Sequence, residues 1–201
     1  MNPHDKSAGG RPRSFDRDQA LDIAMRMFWR QGYEGVSVAD LTARLGISAP
    51  SLYAAFGSKA DLYRAALTRY EETSHSLDVS AFDRATSLEQ AVGEMLIASI
   101  AAVTSPDRER GCLISDGMIA CGSEHAELAT ELAHRRKRFR DQLARRLERW
   151  RDRPSARALA RYLTAVMQGM SIQARDGATA RELRTIADQV VAGLRPGRST
   201  A

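Results

Sequence analysis

The sequence predicts an all-α chain of about nine helices, a three-helix unit at the N-terminus followed by a larger helical body. Three observations carry this. Apolar residues recur at i, i+3, i+4 and i+7 from about residue 15 to about residue 195. Strand signals are missing, with few Val, Ile and Thr runs, no alternating segment and no Asn-Gly turn. The apolar stripes also open on Ser, Asp or Thr and close on Gly, the residue types that satisfy helix-end amides and accept left-handed C-caps.

The elements follow in order. Asp16, with Gln19 three residues on, opens a helix whose stripe is Leu21, Ala24, Met25 and Phe28, ended by Gly32. Ser37 and Asp40 form a capping box for the second, which carries Val38, Leu41 and Leu45 and stops at Gly46. Ser48 caps the third, with Pro50 in the first turn, where a missing N–H costs nothing. Its stripe is Leu52 and Phe56, and Gly57 ends it. A fourth runs from Ser58 and Asp61 through Leu62, Ala65, Ala66 and Tyr70.

Past a loop near 76–86, Leu88, Val92, Met95, Leu96, Ser99, Ile100 and Val103 mark a fifth helix, punctuated by Ser105-Pro106. A short apolar segment from Gly111 to Cys121 breaks at Gly122. A long helix is expected from Ser123 to about Asp152, and another from Pro154 to Ala174. A Thr179–Glu182 capping box opens the last, whose face is Leu183, Ile186, Ala187, Val190, Val191 and Leu194.

Composition narrows the function. With 43% hydrophobic residues in 201, the chain is neither disordered nor low-complexity. Thirty Lys and Arg against 25 Asp and Glu give +5, and a pI near 9.6 points to a polyanionic partner. No apolar run approaches the ~18–20 residues of a spanning helix, and residues 1–13 lack a signal-peptide core. Two cysteines make no disulfide framework, which fits a reducing, cytoplasmic setting. No membrane partner and no cofactor are expected. Nucleophile elbows, phosphate-cradling loops and dinucleotide fingerprints are absent, so no catalytic residues are assigned.

Residues 37–56 read as helix, glycine turn, short helix, the pattern of a helix-turn-helix. Leu41, Leu45, Ile47, Leu52 and Phe56 form its expected buried face. Ser48, Ala49, Ser51, Tyr53 and Ala55 form the outer one, which suits a major groove that admits a single helix. The stretch Val38-Ala39-Asp40-Leu41 and then Leu45-Gly46-Ile47-Ser48-Ala49-Pro50-Ser51-Leu52-Tyr53-Ala54-Ala55-Phe56-Gly57-Ser58-Lys59-Ala60-Asp61-Leu62 resembles the DNA-binding segment of the TetR/AcrR family of bacterial transcriptional regulators, over roughly residues 15–65. Gly111-Cys112-Leu113, Gln168-Gly169 and Ala174-Arg175-Asp176-Gly177-Ala178 resemble one branch of that family more loosely.

The resemblance implies a flexible basic arm (1–14), a helix-turn-helix DNA-binding domain (15–62) and an effector-binding and dimerisation domain (63–201). It implies a repressor that a small-molecule effector releases from double-stranded operator DNA, acting as a homodimer. Tyr53, Lys59 and Ser37 match phosphate contacts, which position without reading sequence. Ser48, Ala49, Pro50 and Ser51 lie at the base-facing start of the recognition helix. Ala49, Ala54 and Ala55 stand where larger residues are common in the family. Alanine touches a thymine methyl but donates no hydrogen bond. Arg11 and Arg13, held apart by Pro12 beside Gly9 and Gly10, suit a narrow minor groove.

By the same resemblance the body encloses an effector pocket, for which Met95, Cys112, Met118, Tyr162, Met167 and Met170 are candidates. The last two helices would pair across a two-fold axis through Leu159, Leu163, Val166, Leu183, Ile186, Val190 and Leu194, with Gly169 allowing close approach. Cys112, near Arg108 and Arg110, is a candidate sensor thiol, set against the usual inert buried cysteine.

The cationic stretch 135–153, with Phe139, Leu143, Leu147 and Trp150 beneath it, reads as an amphipathic helix with a solvated basic face. Rival readings are a protein-interaction scaffold that has lost DNA binding and a di-iron bundle built on Glu72-x-x-His75 and Glu131-x-x-His134. A Cys121–His125 metal pair lacks further ligands, so no metal is expected.

Overall fold

The computed structural model describes residues 15–73 and 79–194, which form ten α-helices and one 3₁₀ turn with no strand among them. Arg11 and Arg13 lie outside the described residues, as does His75. Among the described residues no helix is long and apolar enough to cross a membrane.

Helices α1 (Arg17–Gln31), α2 (Val38–Leu45) and α3 (Ala49–Phe56) open the chain, and α4 (Lys59–Thr73) follows. Their ends form where the side chains dictate. The Asp16 carboxylate accepts from the amides of Asp18 and Gln19, and Ser37 and Asp40 cap each other reciprocally. Gly46 turns the chain at φ 66°, a left-handed conformation that costs an L-residue about 1 kcal/mol or more. Ser58 and Asp61 make a second reciprocal box at the start of α4.

Helix α4 packs along α1 and buries Leu62, Tyr63, Ala66, Leu67 and Tyr70. An aromatic cluster ties the two helices: Tyr63 meets the Phe28 ring edge-on at 5.0 Å, and Tyr70 meets Trp29 at 4.8 Å.

The body comprises α5 (Ala81–Arg84), α6 (Leu88–Thr104), α7 (Leu113–Asp116), the 3₁₀ turn Ser123–His125, α8 (Ala126–Leu147), α9 (Arg153–Arg175) and α10 (Ala180–Leu194). Helices α8 and α9 pair along their length, and α10 lies on α6. The expected loop near 76–86 contains α5, four residues long, which the burial of Phe82 holds in place. The expected helix to Asp152 stops at Leu147 instead. Asp152 adopts an extended backbone (ψ 159°) to cap α9 through the Ser155 amide, and a continuous helix cannot supply that conformation.

The two parts are laced together. Arg64 on α4 makes a forked contact with Glu131 on α8, at 2.7–3.1 Å. The Trp29 indole donates to the Gly111 carbonyl at 3.2 Å, and Arg175 on α9 donates to the Trp29 carbonyl at 2.9 Å. Asp116 at the end of α7 accepts from Arg175 (2.5 Å), Ser171 (2.9 Å) and the Cys112 amide (3.1 Å).

Candidate nucleic-acid interface and effector cavity

The helix-turn-helix divides as its periodicity demands. Leu41, Leu52 and Phe56 are buried, while Leu45 and Ile47 are half-buried at its edge. On the outer face of α3, Pro50, Tyr53 and Ala54 are exposed and Ala49 and Ser51 are half-exposed. Tyr53 keeps 48% of its surface open, so its ring and hydroxyl stand clear of the subunit.

The serines are occupied in capping. Ser48 Oγ accepts from the Ser51 amide at 3.3 Å and lies 2.9 Å from Ser51 Oγ. The Ser37 amide and hydroxyl both donate to Asp40 Oδ2, at 2.9 and 2.6 Å. These bonds hold the Asp40 carboxyl below the usual range. An anion at that helix end would meet the next amides rather than Ser37 itself. Lys59 is half-buried, its ammonium 4.2 Å from the centroid of the Tyr33 ring. Burial lowers its pKa, while Glu34 and Asp40 act in the opposite sense. The cation is thus parked on an aromatic face, from which it must swing to reach a phosphate.

In the body, a small cavity of about 20 Å³ lies among Ile114, Ser115, Arg136, Phe139, Thr164, Met167 and Gln168, room for about one water. Of the six residues expected at an effector pocket, only Met167 lines it. Met95, Met170 and Cys112 are buried in the core, and Met118, also buried, turns the chain at φ 52°. Tyr162 points the other way, 52% exposed on the outer face of α9. Cys112 instead caps α7, its Sγ accepting from the Ser115 amide. Arg110 and Arg108 turn to backbone carbonyls, of Ala174 and Ala178 and of Thr73.

The polar lining was not foreseen. Arg136, grouped by sequence with a solvated face, reaches inward and donates to the carbonyls of Ile114 and Gly117, at 2.9 Å each. Burial lowers its pKa. Gly117 in turn packs against Tyr63 of α4, whose hydroxyl lies 2.9 Å from where a Cβ would stand. That hydroxyl is buried without a hydrogen-bond partner among the described residues, and burial pushes its pKa up to about 12.

The expected dimer set splits. Leu163, Leu183 and Val190 are buried within the subunit, the last two because α10 lays its apolar face on α6. Leu159, Val166, Ile186 and Leu194 remain half-exposed. The outward face of α9 is instead Ala158, Tyr162, Ala165, Gly169 and Ile172. A Cβ on Gly169 would meet nothing within 4 Å. This stripe escaped notice because three of its five residues are too small to register as apolar.

Cys121 does not belong to the group of ligand-type side chains around His125. His125 instead faces Glu34 and Glu124, each 3.9 Å from its Nε2, the one such trio within 4.8 Å among the described residues. Glu131, required by the di-iron reading, is held by Arg64.

Comparison with known proteins adds a consistent set. The profile described as "Bacterial regulatory proteins, tetR family" matches residues 20–66. The chain is 36% identical over 189 residues to the HTH-type transcriptional repressor ComR of Escherichia coli K12, covering 90% of each. It is 32% identical to the repressor BdcR of the same organism, over 87% of this chain and 86% of that one. A solved structure of the TetR family regulator CifR, a cysteine mutant complexed with 26-bp operator DNA, superposes with a TM-score of 0.81. Its sequence identity is 35%, over 91% of this chain and 98% of that one.

Proposed function

The chain belongs to the tetR family of bacterial regulatory proteins and is a DNA-binding transcriptional regulator; from that premise we propose that it is a homodimeric repressor released from its operator by a small molecule. The observation that carries this reading is the free outer face of α3, which leads with a capped N-terminus and presents Tyr53 to the outside. Ser48, Ala49, Pro50 and Ser51 lie against base edges. Tyr53, Lys59 and the α2 start at Ser37 engage phosphates, and Arg11 and Arg13 enter the minor groove. With so little hydrogen-bonding capacity on α3, much of the specificity comes from thymine methyls and DNA shape. The operator-bound CifR structure and the repressors ComR and BdcR support both DNA binding and the sign of regulation.

Residues 63–201 bind the effector and pair the subunits, through the outward stripe of α9 and the half-exposed positions of α10. An effector larger than the 20 Å³ cavity must displace its walls. Arg136 is the wall that also holds Gly117 against Tyr63 of α4, and α4 begins with Lys59. Ligand that prefers the displaced arrangement shifts the population toward wrongly spaced reading heads, by no more than its differential affinity for the two states. The protein works in the cytoplasm.

The test is binding of the purified protein to DNA from upstream of its own gene, against a scrambled duplex, across a salt series. Tighter binding to the native duplex at every salt concentration is expected. Equal and equally salt-dependent binding to both would reduce the protein to a nonspecific basic one. No binding at low salt would favour the scaffold reading.

A further inference from the structure

The cationic run over 135–153 is exposed at Lys137, Arg138, Arg145, Arg149, Arg151 and Arg153, as its sequence suggests, and part of it lines a groove. Lys137, Arg140, Asp141, Ala144, Arg145 and Glu148 recur at i, i+3, i+4, i+7, i+8 and i+11, one stripe of the helix. Arg153, Arg157 and Arg161 make a matching stripe on α9 at i, i+4 and i+8. The two stripes form the walls of a groove of about 420 Å³.

Helices α8 and α9 are consecutive partners joined by five residues, so they run antiparallel. On their other side the small cavity brings Arg136 and Phe139 to Thr164 and Met167, which fixes the register. In that register Arg140 and Asp141 lie level with Arg161, Arg145 with Arg157, and Glu148 with Arg153. The last is a complementary pair at 3.8 Å, and Asp141 is taken by Lys137 at 2.6 Å. The other two levels bring Arg140 to Arg161 and Arg145 to Arg157, with Asp141 beside Arg140 and Arg145. None of these four guanidinium groups has a carboxylate within ion-pair distance among the described residues.

Facing like charges are destabilising across a groove, where the helix walls weaken screening. The arrangement lowers its energy by holding anions at both levels. One helical turn separates Arg157 from Arg161, so the levels lie about 6 Å apart. Guanidinium pairs match phosphate geometry, each offering forked donors. The location excludes the reading heads. The groove lies at the loop end of the α8–α9 pair, whereas Glu131, held by α4, is near the start of α8, and Arg175, which contacts α1, is at the opposite end of α9.

We propose that the groove between α8 and α9 binds a small molecule bearing at least two phosphate groups, clamped by Arg140, Arg145, Arg157 and Arg161. This site is separate from the small cavity around Arg136 and does not depend on the repressor reading.

Calorimetric titration of the full chain with inorganic tripolyphosphate and with a hexose 1,6-bisphosphate, in about 0.15 M salt, tests it. Orthophosphate is the monovalent-site control. The R145Q/R157Q variant removes one member of each level, and R84Q/R151Q removes equal charge from exposed arginines elsewhere. Saturable binding of at least one bis- or triphosphate is expected, with orthophosphate weaker. R145Q/R157Q should lose about tenfold or more in affinity, as charge-assisted bonds imply, while R84Q/R151Q stays near the parent. Circular dichroism and sedimentation establish that both variants keep the parent fold and assembly. Equal losses in the two variants would mean diffuse attraction only and overturn the proposal. So would no binding by either multiphosphate probe. A changed assembly state in R145Q/R157Q, with unchanged phosphate affinity, would assign the groove to a second copy of the chain and also overturn it.

Discussion

Replacing Asp116 with alanine removes the acceptor on which three hydrogen bonds converge. Its Oδ2 takes the Arg175 guanidinium, the Ser171 hydroxyl and the Cys112 amide, and Arg175 carries the link on to the Trp29 carbonyl of α1. A hydrogen bond to a charged group is worth about 1.5–3 kcal/mol, and three taken separately would sum to about 4.5–9 kcal/mol. Two facts reduce that figure. The Arg175 side chain is 30% exposed and rehydrates once released. Asp116 Oδ1 is buried with no partner among the described residues, so its desolvation cost disappears with the carboxylate. Ser171 is buried and loses its carboxylate acceptor, which keeps the loss large. The expected net destabilisation is about 2–4 kcal/mol. With a urea m-value of about 2 kcal/mol/M, the unfolding midpoint falls by about 1–2 M at fixed protein concentration. Asp116→Ala with Arg175→Met should be less than additive by about 1 kcal/mol or more. A loss below about 1 kcal/mol with strict additivity would refute this account of how the body is tied to α1.

Three further outcomes follow from the same structure. Tyr53→Phe keeps the ring and removes one exposed hydroxyl, so operator affinity should fall about fivefold with unchanged circular dichroism; unchanged affinity in a titration of labelled duplex would remove Tyr53 from the contact set. Asp40, Asp61, Asp152 and Glu182 are all held below the ordinary carboxylate range, chiefly by hydrogen bonds to Ser37, Ser58, Ser155 and Thr179. A depressed folded-state pKa adds stability above the unfolded value, lost as pH falls through the folded one. Urea midpoints should therefore be flat from pH 7 to about 5 and drop below about pH 4, with a shallower acid slope in Ser37→Ala/Ser58→Ala. Ile172→Glu places a charge on the outward stripe of α9 and should shift sedimentation toward monomer without lowering helix content; a parent-like dimer would move the interface elsewhere.

What could be read from the sequence was what is settled locally. Asp16, Ser37, Ser48 and Thr179 all sit at helix starts because each side chain bonds an amide two or three residues away, a reach a sequence displays directly. Helix α5 was invisible because four residues carry no periodicity, and only the distant surface that buries Phe82 holds them. The lining of the small cavity was hidden for a related reason. Methionines filled the core, while the lining is an arginine whose partners lie 19 and 22 residues away in the chain. Which faces of α9 and α10 stay open was hidden as well, since an amphipathic face does not declare whether its own fold or a second copy covers it.

Helix α4 is claimed from both sides, by α1 through its aromatic face and by α8 through Arg64. The reading head is therefore not a detachable cassette. Cutting after residue 62 would strip Tyr63, Ala66, Leu67 and Tyr70 from the surface they cover and leave Phe28 and Trp29 facing water. Hybrid regulators built by grafting this head onto another body, or this body beneath another head, should be joined beyond Thr73. They should also carry the matching stretch of α8 with its Glu131. Relatives that have traded recognition specificity would then differ in α3 while sharing the α1–α4–α8 contact as a unit of inheritance.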